Sequence, residues 1–330
     1  MDDNTSISLA EKSTRAEGPE YLYSAYGLTV SSCIEFPELL PGTGTPAVTI
    51  TYGDVRRELK GANKDNVVYK ALPGHLVLNV DAVGHILIRH GREMIVDRLA
   101  DSRDEELRLF LLGSAFGALL HQRGLLVLHG STVKVGDGCV SFLGRSGVGK
   151  STLATELSRR GYACLGDDVC AVTIGDDGVP YAVSTYPQAK LWSRSLGYFN
   201  MDATRLRRIR PSIDKRAVRL DTFARDERLP VRRLYALSRG TNRGEDRPDI
   251  GIVAVTGPIT MRVLRDYTYR HPFLRGLDLS RRHFQQIAHV ASRVPVSRIM
   301  APRREFPVEQ LANAVEDHFR ADGLATDQTA

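Results

Sequence analysis

Gly144-Arg145-Ser146-Gly147-Val148-Gly149-Lys150-Ser151 decides how the rest of the chain is read. The octapeptide fits GxxxxGK[ST] at every fixed position. Residues 140–143 ahead of it are apolar and strand-like, and residues 152–157 behind it have helical character. Glycines at these positions let the backbone curl so that successive N–H groups face one point at the positive end of a helix. Polyphosphate is the ligand such a nest holds best. Lys150 is expected to reach the β and γ phosphates, and the Ser151 hydroxyl to ligate magnesium. The expected nucleotide-binding set is therefore Gly144, Arg145, Ser146, Gly147, Val148, Gly149, Lys150, Ser151 and Thr152, with ATP and Mg2+ as the ligands. An accidental match in a chain of this length is on the order of one in a hundred.

Just downstream, the helix expected over 150–160 closes at Gly161, and a strand over 162–165 leads straight into Asp167 and Asp168. Two carboxylates at the tip of a buried strand beside a phosphate loop suit magnesium ligation and activation of an attacking hydroxyl. Neighbouring strand residues point to opposite faces, so the two need not share a role. A plain turn is the competing reading of Gly-Asp-Asp. Asp176-Asp177-Gly178 reads as a hairpin turn only.

Outward from this centre the chain divides. Residues 1–20 read as a polar tail. Residues 21–101 read as a small, antiparallel, β-rich domain, with strands over 47–51, 67–71, 75–80, 85–90 and 93–96. From 102 the pattern becomes mixed α/β. A helix over 104–122 carries leucines at helical spacing and acids in its first turn. Strands follow over 125–128, 131–135, 139–143 and 169–174. Helices are expected at 258–266, 280–293 and 307–320, a strand at 296–300, and a surface loop at 239–249. Between these lies a crowd of cations: Arg205, Arg207, Arg208, Arg210, Lys215, Arg216 and Arg219. It reads as a lid or clamp on the transferred phosphoryl group, as a dock for an acidic peptide, or as a solvated face.

The whole chain, 330 residues with 42% hydrophobic and 25% charged side chains, is globular in composition. The longest apolar run, 109–120, is too short to span a bilayer, and no secretory signal is visible, so a cytoplasmic protein without a membrane partner is expected. The four cysteines form no CxxC pair and read as buried thiols. A net charge of +6 suits an anionic ligand; nucleic acid is not an expected partner.

The order Leu128-His129-Gly130-Ser131, then the P-loop, then Gly166-Asp167-Asp168-Val169 resembles the catalytic core of the bacterial HPr kinase/phosphorylase family, which shares its P-loop fold with phosphoenolpyruvate carboxykinases. The matching core covers 125–174. The flanks, 110–122 and 186–192, look like the HPr-kinase-related proteins that tailor ribosomal peptides, lasso peptide precursors among them. The resemblance implies a P-loop kinase domain over 102–330 and serine phosphorylation of a peptide or small protein by ATP and Mg2+. It makes Asp167 the general base, Asp168 a magnesium ligand or second catalytic carboxylate, and His129 their neighbour. Lys190, Lys215 and Arg216 become substrate or phosphate ligands, and self-association is implied. The sequence departs from HPr kinases where these carry a glutamate-containing signature: Tyr186-Pro-Gln-Ala-Lys-Leu-Trp192 has no carboxylate. The reverse, phosphorolytic reaction is therefore not implied. Two rival readings remain: an HPr serine kinase of carbon regulation, and a nucleotide-dependent binding module without catalysis.

Overall fold

A computed structural model of the chain describes residues 20–55, 69–81, 83–210, 213–239, 250–302 and 307–324. The expected tail, save residue 20, and the loop expected over 239–249, save Arg239, lie outside them. Strands β1 (Tyr21–Ala25), β2 (Leu28–Ser32), β3 (Leu40–Pro41), β4 (Val48–Tyr52), β5 (Tyr69–Leu72), β6 (His75–Val80), β7 (Gly84–Arg89) and β8 (Glu93–Arg98) form one sheet in the order β3-β1-β2-β4-β8-β7-β6-β5. This sheet is mixed rather than antiparallel, because β2 with β4 and β4 with β8 pair parallel. Strands β1 and β2, which no expectation covered, carry Tyr23, Ala25 and Val30 into the core.

The stretch expected as one helix is α1 (Asp104–Phe110), a π turn (Leu111–Ala115) and α2 (Phe116–Gln122). Its apolar residues, Leu107, Leu111, Phe116, Leu119 and Leu120, are buried against Val30, Ile50, Ile86 and Met94 of the first sheet. The extra residue of a π turn is a local irregularity that apolar periodicity does not encode.

Beyond it lies the central sheet of β9 (Leu126–Leu128), β10 (Gly130–Val135), β11 (Gly138–Leu143), β12 (Cys164–Gly166), β13 (Cys170–Ile174), β14 (Pro180–Val183), β18 (Arg228–Arg239), β19 (Gly251–Val255) and β20 (Val296–Ala301). Alternation along β18 sorts the core. Tyr235 and Leu237 face helices α3 (Lys150–Arg159) and α8 (Val308–Ala321), while Leu234 and Ala236 face α5 (Pro258–Asp266) and α7 (Ser280–Ala291). The result is a three-layer α/β arrangement around β11, β18 and β20, which run parallel. A separate small sheet, β15 (Gln188–Trp192), β17 (Ile213–Arg219) and β16 (Arg208–Arg210), backs onto α4 (Ser193–Tyr198). The short α6 (Phe273–Gly276) completes the set. Asp176–Gly178 is the turn between β13 and β14, with Asp177 accepting from the Val179 N–H. Three cysteines are buried and all four are free thiols.

Candidate active site

The loop between β11 and α3 needs its glycines for two separate reasons. A Cβ on Gly144 would stand 2.8 Å from Val148 Cγ1 and 2.9 Å from the Leu237 carbonyl oxygen. Gly149, the residue before the first turn of α3, has φ +117, a conformation L side chains avoid. No side chain caps α3 at this end. Its first-turn N–H groups therefore face the loop with the positive end of the helix behind them.

Lys150 folds back over that loop. Its Nζ donates to the Gly144 carbonyl (2.8 Å) and the Arg145 carbonyl (3.2 Å), and lies 3.1 Å from His129 Nε2. Burial pulls the ammonium down to about 8, against the opposing pull of Asp167 and Asp168. An ammonium only donates, so His129 Nε2 accepts and the ring proton sits on Nδ1, which donates to the Asp168 carbonyl (2.9 Å). Burial and the nearby Lys150 lower the pKa of His129, consistent with a neutral ring.

The two aspartates sit where β12 leaves the central sheet beside β10. Asp167 is 4% exposed, and both its oxygens are engaged: Oδ1 accepts from Ser131 Oγ (2.6 Å) and Oδ2 from the Lys190 backbone N–H (2.9 Å). Asp168 has φ +74, which an aspartate tolerates better than a branched residue, and this turns its side chain the other way. Its Oδ2 accepts from Lys190 Nζ (3.0 Å), its Oδ1 lies 3.4 Å from His129 Nδ1, and 24% of the side chain stays exposed. Burial alone would raise the Asp168 carboxyl. Lys190 first, then His129 and Lys215, hold it well below the usual carboxylate range. Lys190 is held well above its ordinary value by Asp168, despite burial that works against it.

These groups line one small pocket, about 20 Å³, to which the loop and α3 contribute Ser146, Gly147, Gly149, Lys150, Ser151 and Thr152, and other elements His129, Asp167, Asp168, Lys190, Trp192 and Lys215. It adjoins a cleft of about 580 Å³ that shares His129, Asp168, Lys190, Trp192 and Lys215. Leu109, Phe110, Ile209, Ile213 and Tyr269 give that cleft an apolar wall, and Arg145, Arg210 and Arg270 stand among its lining residues.

Most of the residues expected at a site thus converge. Two have a different position from the one expected. Arg216 lies across from Leu191 and next but one to Val218, on the face of β17 turned away from Lys190 and Lys215, and it lines neither space. Strand alternation separates it from Lys215. Val148 lines neither space and packs against the α3–α8 core. The Thr152 hydroxyl, although at the pocket, pairs with Ser195 Oγ (2.9 Å). Ser131, Trp192, Ile213 and Tyr269 have places at the site that sequence reasoning missed. Ser131 had a usable signal, since it stands in the Leu128-His129-Gly130-Ser131 run, on β10 just past the bend at His129.

No family model matches the chain, and no curated protein matches it. Among solved structures it is similar to that of the Hpr(Ser) kinase/phosphatase from Coxiella burnetii, with 12% identity over 60% of this chain and 98% of that chain, at a TM-score of 0.32.

Proposed function

We propose that the chain is an ATP- and Mg2+-dependent phosphotransferase that phosphorylates a serine hydroxyl of a peptide or small protein. One observation carries this reading: the glycine-rich loop and the Asp167–Asp168 pair line a single pocket that adjoins a larger cleft. The pocket fits the ligands. The uncapped N-terminus of α3 and the Lys150 ammonium offer donors to phosphate. For Mg2+ the pocket offers the Ser151 hydroxyl and the Asp168 carboxylate. Among the described residues no trio of His, Cys, Asp or Glu is arranged to hold a metal. Mg2+ needs no such cage, because it commonly takes one or two protein ligands and completes its shell with phosphates and water. When bound, it neutralises charge on the phosphates.

The geometry favours Asp168 over Asp167 as the proton acceptor. Asp167 spends both oxygens on Ser131 and the Lys190 backbone, so its work is to fix the end of β12 against β15. Asp168 borders both spaces and keeps part of its carboxylate exposed, with Lys190 holding it in the ionised form that can accept a proton. Lys150 must leave the Gly144 and Arg145 carbonyls to meet a phosphate. The apolar wall of the larger cleft holds the acceptor and excludes water. HPr, the acceptor in the name of the similar enzyme, is the first protein to offer it; a lasso peptide precursor is the second.

The test is transfer of label from γ-labelled ATP with Mg2+. Asp168→Asn is expected to lower transfer by at least about a hundredfold while ATP still binds. Asp167→Asn is expected to act mainly on stability. Full transfer by Asp168→Asn would remove it as the base. ATP affinity with no transfer to either acceptor favours the binding-module reading.

A further inference from the structure

Trp192 is the sole tryptophan of the chain and ends β15 at the boundary between the small pocket and the larger cleft. Its indole N–H is buried and has no hydrogen-bond partner. Indole nitrogen donates and never accepts, so the group needs an acceptor that the surrounding protein does not supply. The site around it is rich in donors. It stands close to the glycine-rich loop, where a Cβ built on Gly147 would lie 3.7 Å from Trp192 Nε1. The Lys215 ammonium sits 5.1 Å from the centre of the indole ring, and no carboxylate partner of Lys215 is found among the described residues. The two carboxylates of the pocket are already engaged, Asp167 by Ser131 and the Lys190 N–H, Asp168 by the Lys190 ammonium. An orphan donor and a cation with no ion pair of its own among the described residues therefore stand together in a pocket that the glycine-rich loop also lines.

We infer that Trp192 is a phosphate-binding residue of this pocket. Its Nε1–H donates to an anionic oxygen of the bound polyphosphate, and Lys215, stacked over the ring, supplies the accompanying positive charge. The inference rests on the nucleotide-binding reading and adds to it a phosphate ligand from outside the loop. Cross-strand pairing of Trp192 with Lys215 keeps the two side chains on the same face, so one strand register positions both.

The experiment uses the full-length chain labelled with 15N, in which a single tryptophan gives a single indole N–H resonance. Mg-ATP, tripolyphosphate and adenosine are added separately, and ATP affinity is measured by calorimetry for the wild type and for Trp192→Phe. The expected result is a downfield proton shift of the indole resonance with Mg-ATP and with tripolyphosphate but not with adenosine. Trp192→Phe is expected to bind ATP about tenfold more weakly. ATP binding with an unmoved indole resonance would overturn the assignment and leave the nucleotide reading standing, even if Trp192→Phe failed to fold. A shift with adenosine alone would also overturn it, by making the ring a stacking surface for the base. If calorimetry detects no ATP binding to the wild type, the nucleotide reading fails and this inference fails with it.

Discussion

The Lys150 ammonium is shared between two carbonyls of its own loop and one imidazole, all of them neutral acceptors. Burial lowers its pKa to about 8, so in this state the positive charge is present below that pH and lost above it. A phosphate needs that charge and would stabilise it, so binding above the free-state pKa must take up a proton. ATP affinity is therefore expected to be nearly constant up to about pH 8 and then to fall by about tenfold per pH unit. Calorimetric titrations at several pH values measure this, and an affinity that stays flat through the alkaline range would contradict it. At this scale the residues that line the pocket were largely legible, because Gly144–Ser151 and Asp167–Asp168 announce themselves by spacing. The different surroundings of the two aspartates were not. They depend on a positive φ at Asp168 and on a backbone N–H from Lys190, more than twenty residues away, neither of which is written in a local pattern.

Helix α2 lies against the site through its small residues. A Cβ added at Gly117 would come within 2.8 and 2.9 Å of the Tyr269 ring, which itself lies 5.7 Å from the His129 ring, centroid to centroid. Gly117→Ala is thus expected to destabilise the protein by about 1–2 kcal/mol. The overpacking cost outweighs the gain in helix propensity. Phosphoryl transfer should fall in the same variant because the push arrives at His129. Gly161→Ala, where nothing lies within 4 Å, is the control for an alanine whose cost is confined to its positive φ. Denaturant unfolding and the transfer assay read both, and equal behaviour of the two variants would sink the packing argument.

Elements with one strong period were legible: α5 and β6 have the expected limits, and α7 and α8 differ by one or two residues. Those whose side chains break the period were not. Strand β18 carries Arg228, Pro230, Arg232 and Arg233 in its first half, which hides a central strand. Pro230 is tolerated near its start, where β18 pairs with β14. The basic stretch gave no strand signal, yet it forms β16 and β17. There Arg210 pairs with Glu106 and Arg207 with Glu38, while Lys215 alone turns to the pocket.

Across the whole molecule one apolar cluster joins the first sheet to the region of the candidate site. Val30, Ile50 and Ile86 share it with Val127, Val169, Tyr186 and Tyr269. The Tyr26 hydroxyl donates to the Leu112 carbonyl within the π turn, and the Tyr69 hydroxyl to the Pro272 carbonyl. The first sheet therefore buttresses the helix and the turn that wall the larger cleft, rather than standing apart from them. This arrangement was outside the reach of the sequence, because contacts between residues 86 and 203 positions apart leave no periodic trace. Many of the chain's charges are paired at the surface, while Lys150 and Lys215 line the small pocket and Arg145, Arg210 and Arg270 the larger cleft.

A crystal structure of the full-length chain with Mg2+ and a non-hydrolysable ATP analogue tests the reading at its root. The expected result has the triphosphate on the backbone amides of residues 146–151, Lys150 moved from the Gly144 and Arg145 carbonyls onto phosphate, and the Asp168 carboxylate facing the terminal phosphoryl group. A nucleotide bound elsewhere, or phosphates in the loop with Asp168 turned away from them, would contradict it.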